Sequence, residues 1–140
     1  MVEQGLLEIL QTNSAITALV NTANGQGVYW VLAPKNASVP YIVLSRVTTQ
    51  DTQAFQGSLG FRGALFQVDC YGITYYQSRK IAAAVRGILE GYHGTLPDAD
   101  ATSVASILTT KDWDMPYEEG GKGFIYQALL EFRVWYRSAV

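Results

Sequence analysis

The run at residues 124–137 sets the tightest limit on what this chain can fold into. Phe124, Tyr126, Ala128, Leu130, Phe132, Val134 and Tyr136 alternate with Ile125, Gln127, Leu129, Glu131, Arg133, Trp135 and Arg137. A period of two puts the first set on one face of a β-strand and the second on the other. About 14 residues at ~3.3 Å each make roughly 45 Å of extended chain, long for a small domain and able to project beyond its core. A strand with one continuous apolar face needs a sheet to join and a layer to cover it.

Two more segments carry clear patterns. Over residues 61–72, Ala64, Phe66, Val68 and Cys70 alternate with Leu65, Gln67, Asp69 and Tyr71, which predicts a half-buried strand. Over 74–92 the apolar residues Ile81, Val85, Ile88, Leu89 and Tyr92 form one helical stripe, ended by Gly91 and Gly94 with Pro97 following. A short helix is expected at 2–11, carrying Leu6, Leu7 and Leu10. A second turn follows, N-capped by Ser14 and bearing Ile16, Leu19 and Val20.

Strands are expected at 27–32, at 41–48 after Pro40, and at 104–113. The polar stretch 49–60 reads as a long mobile loop, and 116–123 as a turn rich in glycine and acid. The pattern predicts an α+β fold: a mostly antiparallel sheet with one long helix packed on a face and a short helical N-terminus. With no repeat or linker, residues 1–140 are expected to form a single domain.

The charged fraction is 16%, low against a usual figure of about 25%. So little charge leaves surface for a partner, and an oligomer or assembly component is expected over a solitary monomer. A net charge of −2 gives no electrostatic footprint for nucleic acid or a membrane surface. No apolar run approaches the roughly 18 residues of a membrane span, and no secretory signal is recognisable. The lone cysteine, Cys70, has no internal disulfide partner and points to a reducing cytosol during folding.

Catalytic and metal chemistry find no support. The single histidine, His93, sits at the expected end of the long helix, where the helix dipole and water account for it. No nucleophile-elbow spacing joins Ser103, Asp98 and His93. One Cys and one His make no metal site, and Asp98, Asp100, Asp112 and Asp114 lack calcium-loop spacing. Gly120-Gly121-Lys122-Gly123 precedes a strand, whereas a phosphate loop leads into a helix. No catalytic residue, cofactor or metal is therefore expected. The aromatic residues Tyr29, Trp30, Tyr75, Tyr76, Tyr117 and Trp135 are candidates for an interface. A soluble small-ligand-binding module is the alternative from another class, and it needs Asp69, Arg46 and Gln67 to converge from paired strands.

Several stretches in order carry a resemblance: LLEILQTNSAITALV, then PYIVLSRVT, FRGALFQVDCYG, TYYQSRKIAAAVRGIL and YQALLEFRVWY. Val68-Asp69-Cys70-Tyr71 followed by Ser78, Ala82 and Val85 is the most telling stretch. Taken together, over about residues 3 to 137, they resemble the bacteriophage tail-completion, tail-terminator-like (head-to-tail joining) family. The resemblance implies a non-enzymatic virion protein that completes the tail and joins it to the head connector as a homo-hexameric ring. It implies the tail-tube protein and a head-completion or connector protein as partners, with DNA passing the lumen without specific binding. The implied location is the head-proximal end of the tail, after assembly in the host cytoplasm. A different neck or tail-tube subunit is the nearest rival. On this reading Gln50, Asp51, Gln53, Phe55, Gln56, Met115, Tyr117, Glu118, Glu119 and Lys122 are the expected interface or lumen residues.

Overall fold

A computed structural model describes residues 2–20, 27–32, 39–54, 57–97, 102–118 and 124–137; at 48–54, 57–62, 115–118 and 124–125 it describes the backbone alone. In chain order the elements are α1 (Val2–Thr12), α2 (Ser14–Thr17), β1 (Val28–Trp30), β2 (Tyr41–Ala54), β3 (Gly57–Gly72), α3 (Tyr75–Leu89), β4 (Gly94–Thr95), β5 (Ser103–Glu118) and β6 (Phe124–Arg137). The strands make one sheet in the order β1-β2-β3-β6-β5-β4. Among the described residues only β1–β2 is parallel; β2–β3, β3–β6, β6–β5 and β5–β4 are antiparallel. The mixed α+β class and the mostly antiparallel sheet are thus observed. Among the described residues the helical part is three helices of 11, 4 and 15 residues, and no single long helix dominates it.

The alternation in β6 works as the sequence dictates. Ala128, Leu130, Phe132, Val134 and Tyr136 are buried, and they meet Ala64, Phe66, Val68 and Cys70 of β3 through an unbroken ladder from Phe61↔Arg137 to Gly72↔Tyr126. Cross-strand partners share a face, so Ile42 and Leu44 of β2 and Val104 and Ile107 of β5 extend the same apolar surface. Onto it pack Leu6 and Leu10 of α1, Ile16 of α2, and Ile81, Ala82, Val85 and Leu89 of α3. Ile88 and Tyr92 of the expected stripe lie partly buried at its border. All three helices therefore cover one face.

Local signals place the helix ends. Thr74 caps α3, its Oγ1 accepting from the Gln77 amide at 3.1 Å, and Gly91 follows the helix with φ +79°. At α2 the cap is Asn13 rather than the expected Ser14: the Asn13 carboxamide oxygen accepts from the Ala15 amide at 2.9 Å and the Ile16 amide at 3.4 Å. Asparagine reaches two orphan donors from outside the helix, and Ser14 becomes its first residue.

Two expectations are corrected. Residues 49–54 and 57–60 are not a loop: they are the distal halves of β2 and β3, paired Thr49↔Ala64, Gln50↔Gly63, Asp51↔Arg62, Gln53↔Ser58 and Ala54↔Gly57. The stretch lacks apolar alternation, but the ladder uses the N–H and C=O groups that nearly every residue carries. Likewise β5 does not stop before Pro116; it runs to Glu118, with Pro116 opposite Tyr126. Proline is tolerated on an outer strand, where its missing N–H breaks no ladder. The expected strand at 27–32 is three residues long, and the expected turns around Asn24-Gly25 and Gly120–Gly123 lie outside the described residues.

Among the described residues, three of the four register shifts put an extra residue on a long outer strand, and the fourth, between Asp51 and Gln53, puts residues 59–61 of β3 against residue 52 of β2. β2 shifts between Arg46 and Thr48 and between Asp51 and Gln53; β5 shifts between Val104 and Ser106 and between Thr109 and Lys111. Extra residues on the outer strands raise the local twist and curl the sheet. The β2–β3 hairpin ends beside the Phe61–Arg137 end of the central ladder, and the β5–β6 hairpin ends beside Gly72–Tyr126. The two arms leave the sheet in opposite directions.

Candidate assembly surfaces

With the helices on one face, the other face of the sheet has no layer over it among the described residues. Tyr29 of β1, Tyr41 of β2 and Tyr71 of β3 cross one end of it, with ring centroids 6.2 Å and 4.9 Å apart. Beside them Val43 and Leu129 are 7% and 6% exposed despite facing away from the core.

Asp69 is buried between those two residues. The Gln67 amide donates to both its oxygens at 3.1 Å, and the Gln127 amide donates to Oδ1 at 3.0 Å. Burial pushes its carboxyl above the ordinary carboxylate range, and the two amides offset part of that rise. Arg46 stands on the opposite face, ion-paired with Glu3 of α1 and 5.4 Å from the Phe66 ring. The polar trio required by a ligand-binding module is thus split between two faces.

Most of the remaining chemistry-bearing residues have structural partners. Cys70 is fully buried in the core, and burial raises its thiol pKa far above normal. His93 is exposed after the end of α3. Asp112 and Asp114 of β5 tie down α3: Arg79 reaches Asp112 at 2.8 Å and Asp114 at 2.9 Å, and Arg86 reaches Asp112 at 3.1 Å. The Tyr75 hydroxyl also donates to Asp114 at 3.0 Å. Among the described residues no three His, Cys, Asp or Glu side chains gather as a metal site.

The sequence-predicted interface residues fall into two groups. Gln50, Asp51 and Gln53 lie on the distal half of β2, whereas Met115, Tyr117 and Glu118 lie on the distal half of β5. These are the arms at opposite ends of the sheet, so they do not form one site. Phe55, Gln56, Glu119 and Lys122 lie outside the described residues. Of the candidate aromatics, Tyr75 and Tyr76 are exposed, while Trp30 packs on the Phe66 ring at 6.3 Å.

Sequence reasoning missed the exposed apolar residues Val31, Leu32, Val47, Leu108 and Trp113. Val47 and Leu108 could have been found as apolar residues within strands that face away from the core. It also missed a cleft of about 460 Å³ between α2 and α3, lined by Leu19, Ile73, Tyr76 and Lys80 among others.

The exposed apolar and aromatic side chains described suit contact with other proteins. The family described as "Tail completion protein gp17" matches the chain over residues 4–137. This chain belongs to that family. Its role is accordingly structural, in the phage tail, and it is a virion component that assembles with other phage proteins. A tail completion protein needs surfaces, which is what this molecule offers. The fold is similar to a chain in the virion of a native gene transfer agent (GTA) particle, with a TM-score of 0.75 at 17% identity. The match covers 98% of this chain and 95% of that one, and at that identity it shows the fold alone. No curated protein sequence matches significantly. No helix among the described residues is long and apolar enough to cross a membrane.

Proposed function

We propose that this protein ends the tail tube at its head-proximal end and joins it to the head connector, as a homo-hexameric ring around a lumen through which DNA passes without specific contacts. The whole chain, 1–140, acts as one assembly unit made in the host cytoplasm. The observation that carries the reading is the family match, which runs almost from end to end.

The hairpin arms support it. A joint between two structures needs different contacts above and below, and the β2–β3 and β5–β6 arms leave the sheet at opposite ends. In this reading Gln50, Asp51, Gln53, Phe55 and Gln56 serve one arm, and Met115, Tyr117, Glu118, Glu119 and Lys122 the other, meeting neighbours or lining the lumen. A net charge of −2 suits a lumen that lets DNA slide.

Deleting the gene and imaging the lysate by negative-stain electron microscopy tests the reading. Filled heads lying apart from tails, or tails of uncontrolled length, are expected. Normal infectious particles would overturn it.

A further inference from the structure

Both margins of the sheet are only partly covered. On one side, β1 lies along β2 at Ile42–Leu44, ending where the Val31 amide donates to the Leu44 carbonyl at 2.8 Å. On the other, β4 lies along β5 at Ser103–Val104, and the Gly91 amide reaches the Ile107 carbonyl at 2.9 Å. Beyond these points no strand among the described residues pairs with the outer edge of β2 over 47–54 or with the outer edge of β5 over 110–118. Long open margins invite another strand, and single-chain proteins usually guard them with charge. Here the exposed Lys111 is turned back: its ammonium lies 5.1 Å from the Trp113 ring centroid and 3.8 Å from Glu131.

Among the described residues, eight large hydrophobic side chains are exposed, and five of them sit at these margins: Val31, Leu32 and Val47 on the β1–β2 side, Leu108 and Trp113 on the β5 side. Val31, a β-branched residue, holds φ at +70°, a costly conformation that goes with its outward position. The two groups also stand at the same level along the strands. Leu108 lies in the row Thr48–Leu65–Arg133–Leu108, next to Val47; Trp113 lies in the row Val43–Asp69–Leu129–Trp113. Trp30 stands opposite Leu44, so Val31 follows at the level of the next row, Ser45–Gln67–Glu131–Lys111, between the rows of Leu108 and Trp113.

Strand direction fits as well. β1, β2 and β6 run one way, and β3 and β5 run the other. Rotation about a ring axis carries one copy to the next without inverting it. β5 of one copy then meets β1 and β2 of its neighbour antiparallel, which continues the alternation of the sheet. A closed ring also requires two different patches that fit each other, and the two margins are such a pair.

We infer that neighbouring copies join margin to margin, with Leu108 and Trp113 of one copy packing on Val31, Leu32 and Val47 of the next. The occupant of each margin is a second copy of this chain. The inference rests on the ring reading and names its contact.

A heterologous contact can be tested by complementation. The full-length chain is incubated with tail tubes from the deletion phage, chemically cross-linked and sized. The native chain is expected to give a ladder up to a closed ring. Leu32→Glu and Trp113→Glu, each blocking one margin, weaken association roughly tenfold or more. Mixed together they retain one good pair of margins and form dimers and nothing larger. Tyr76→Glu, in the apolar patch outside the margins, keeps the full ladder. Circular dichroism melts check that each variant folds. Native-like ladders from Leu32→Glu or Trp113→Glu, or a mixture of the two without dimers, would overturn the margin contact and leave the ring standing. No ladder from the native chain would bring down the ring reading and this contact together.

Discussion

At the scale of single residues, the fold places polar and small side chains where their chemistry has measurable consequences. Asp69 has a folded pKa above its ordinary value of 3.8 because it is buried. The fold therefore favours the protonated form: the stability it contributes is complete below the unfolded pKa and is lost as pH rises through the folded one. Asp69→Asn keeps an acceptor for the glutamine amides without the charge. Its melting temperature should meet that of the native protein in acid and equal or exceed it at neutral pH; a lower value at neutral pH would contradict this account. Cys70, buried with a raised thiol pKa, should resist iodoacetamide in the native protein and react once urea unfolds it. Gly5 shows packing against propensity. Alanine in a helix interior gains about 1 kcal/mol over glycine, but a Cβ there would stand 2.7 Å from the Leu96 Cβ. That atom is fixed to its own backbone and cannot swing away. Gly5→Ala should therefore destabilise by about 1–3 kcal/mol in urea melts, despite its better propensity.

At the scale of elements, α3 is held in two ways. Its apolar stripe is buried, and Arg79 and Arg86 share Asp112 on β5. Half-exposed ion pairs contribute little individually, so Asp112→Ala should cost roughly 1 kcal/mol or less, shrinking in high salt. A large loss that ignores salt would point to packing instead. The arms behave differently. Replacing Gln50, Asp51 and Gln53 together by alanine should leave the melting temperature almost unchanged, since the ladder is made by backbone. Head joining, counted by electron microscopy, should fall. Intact assembly would remove these three residues from the interface. The sequence read this arm as a loop because neither of its faces is apolar. It is a strand because β3 supplies a partner residue by residue. β6, by contrast, was legible to its last residue, since one face had to be buried along its length.

For the whole molecule, the arrangement is a single sheet with helices on one face, two arms at opposite ends and two apolar margins at matching height. Such a body can make four different contacts, as a tail component set between other proteins requires. The negative charge and the lack of a basic stripe predict no measurable binding of duplex DNA at physiological salt, checked by fluorescence anisotropy. Tight, salt-sensitive binding would place the DNA in closer contact than a sliding lumen allows.

The sequence by itself determined which strands must have one buried face, where the apolar stripe of α3 lies, that Cys70 belongs to the core, and the family-like order of elements. Those properties are written in local periodicity, because burial of alternate or every third to fourth side chain is forced by backbone geometry. The tertiary structure alone decided that polar stretches extend the hairpins, that β1 joins β2 in parallel, that Arg46 and Asp69 part to opposite faces, and that Val47 and Leu108 share a level. These depend on which remote strand lies alongside and in what register. Register joins residues far apart in the chain through backbone groups that are nearly alike at every position.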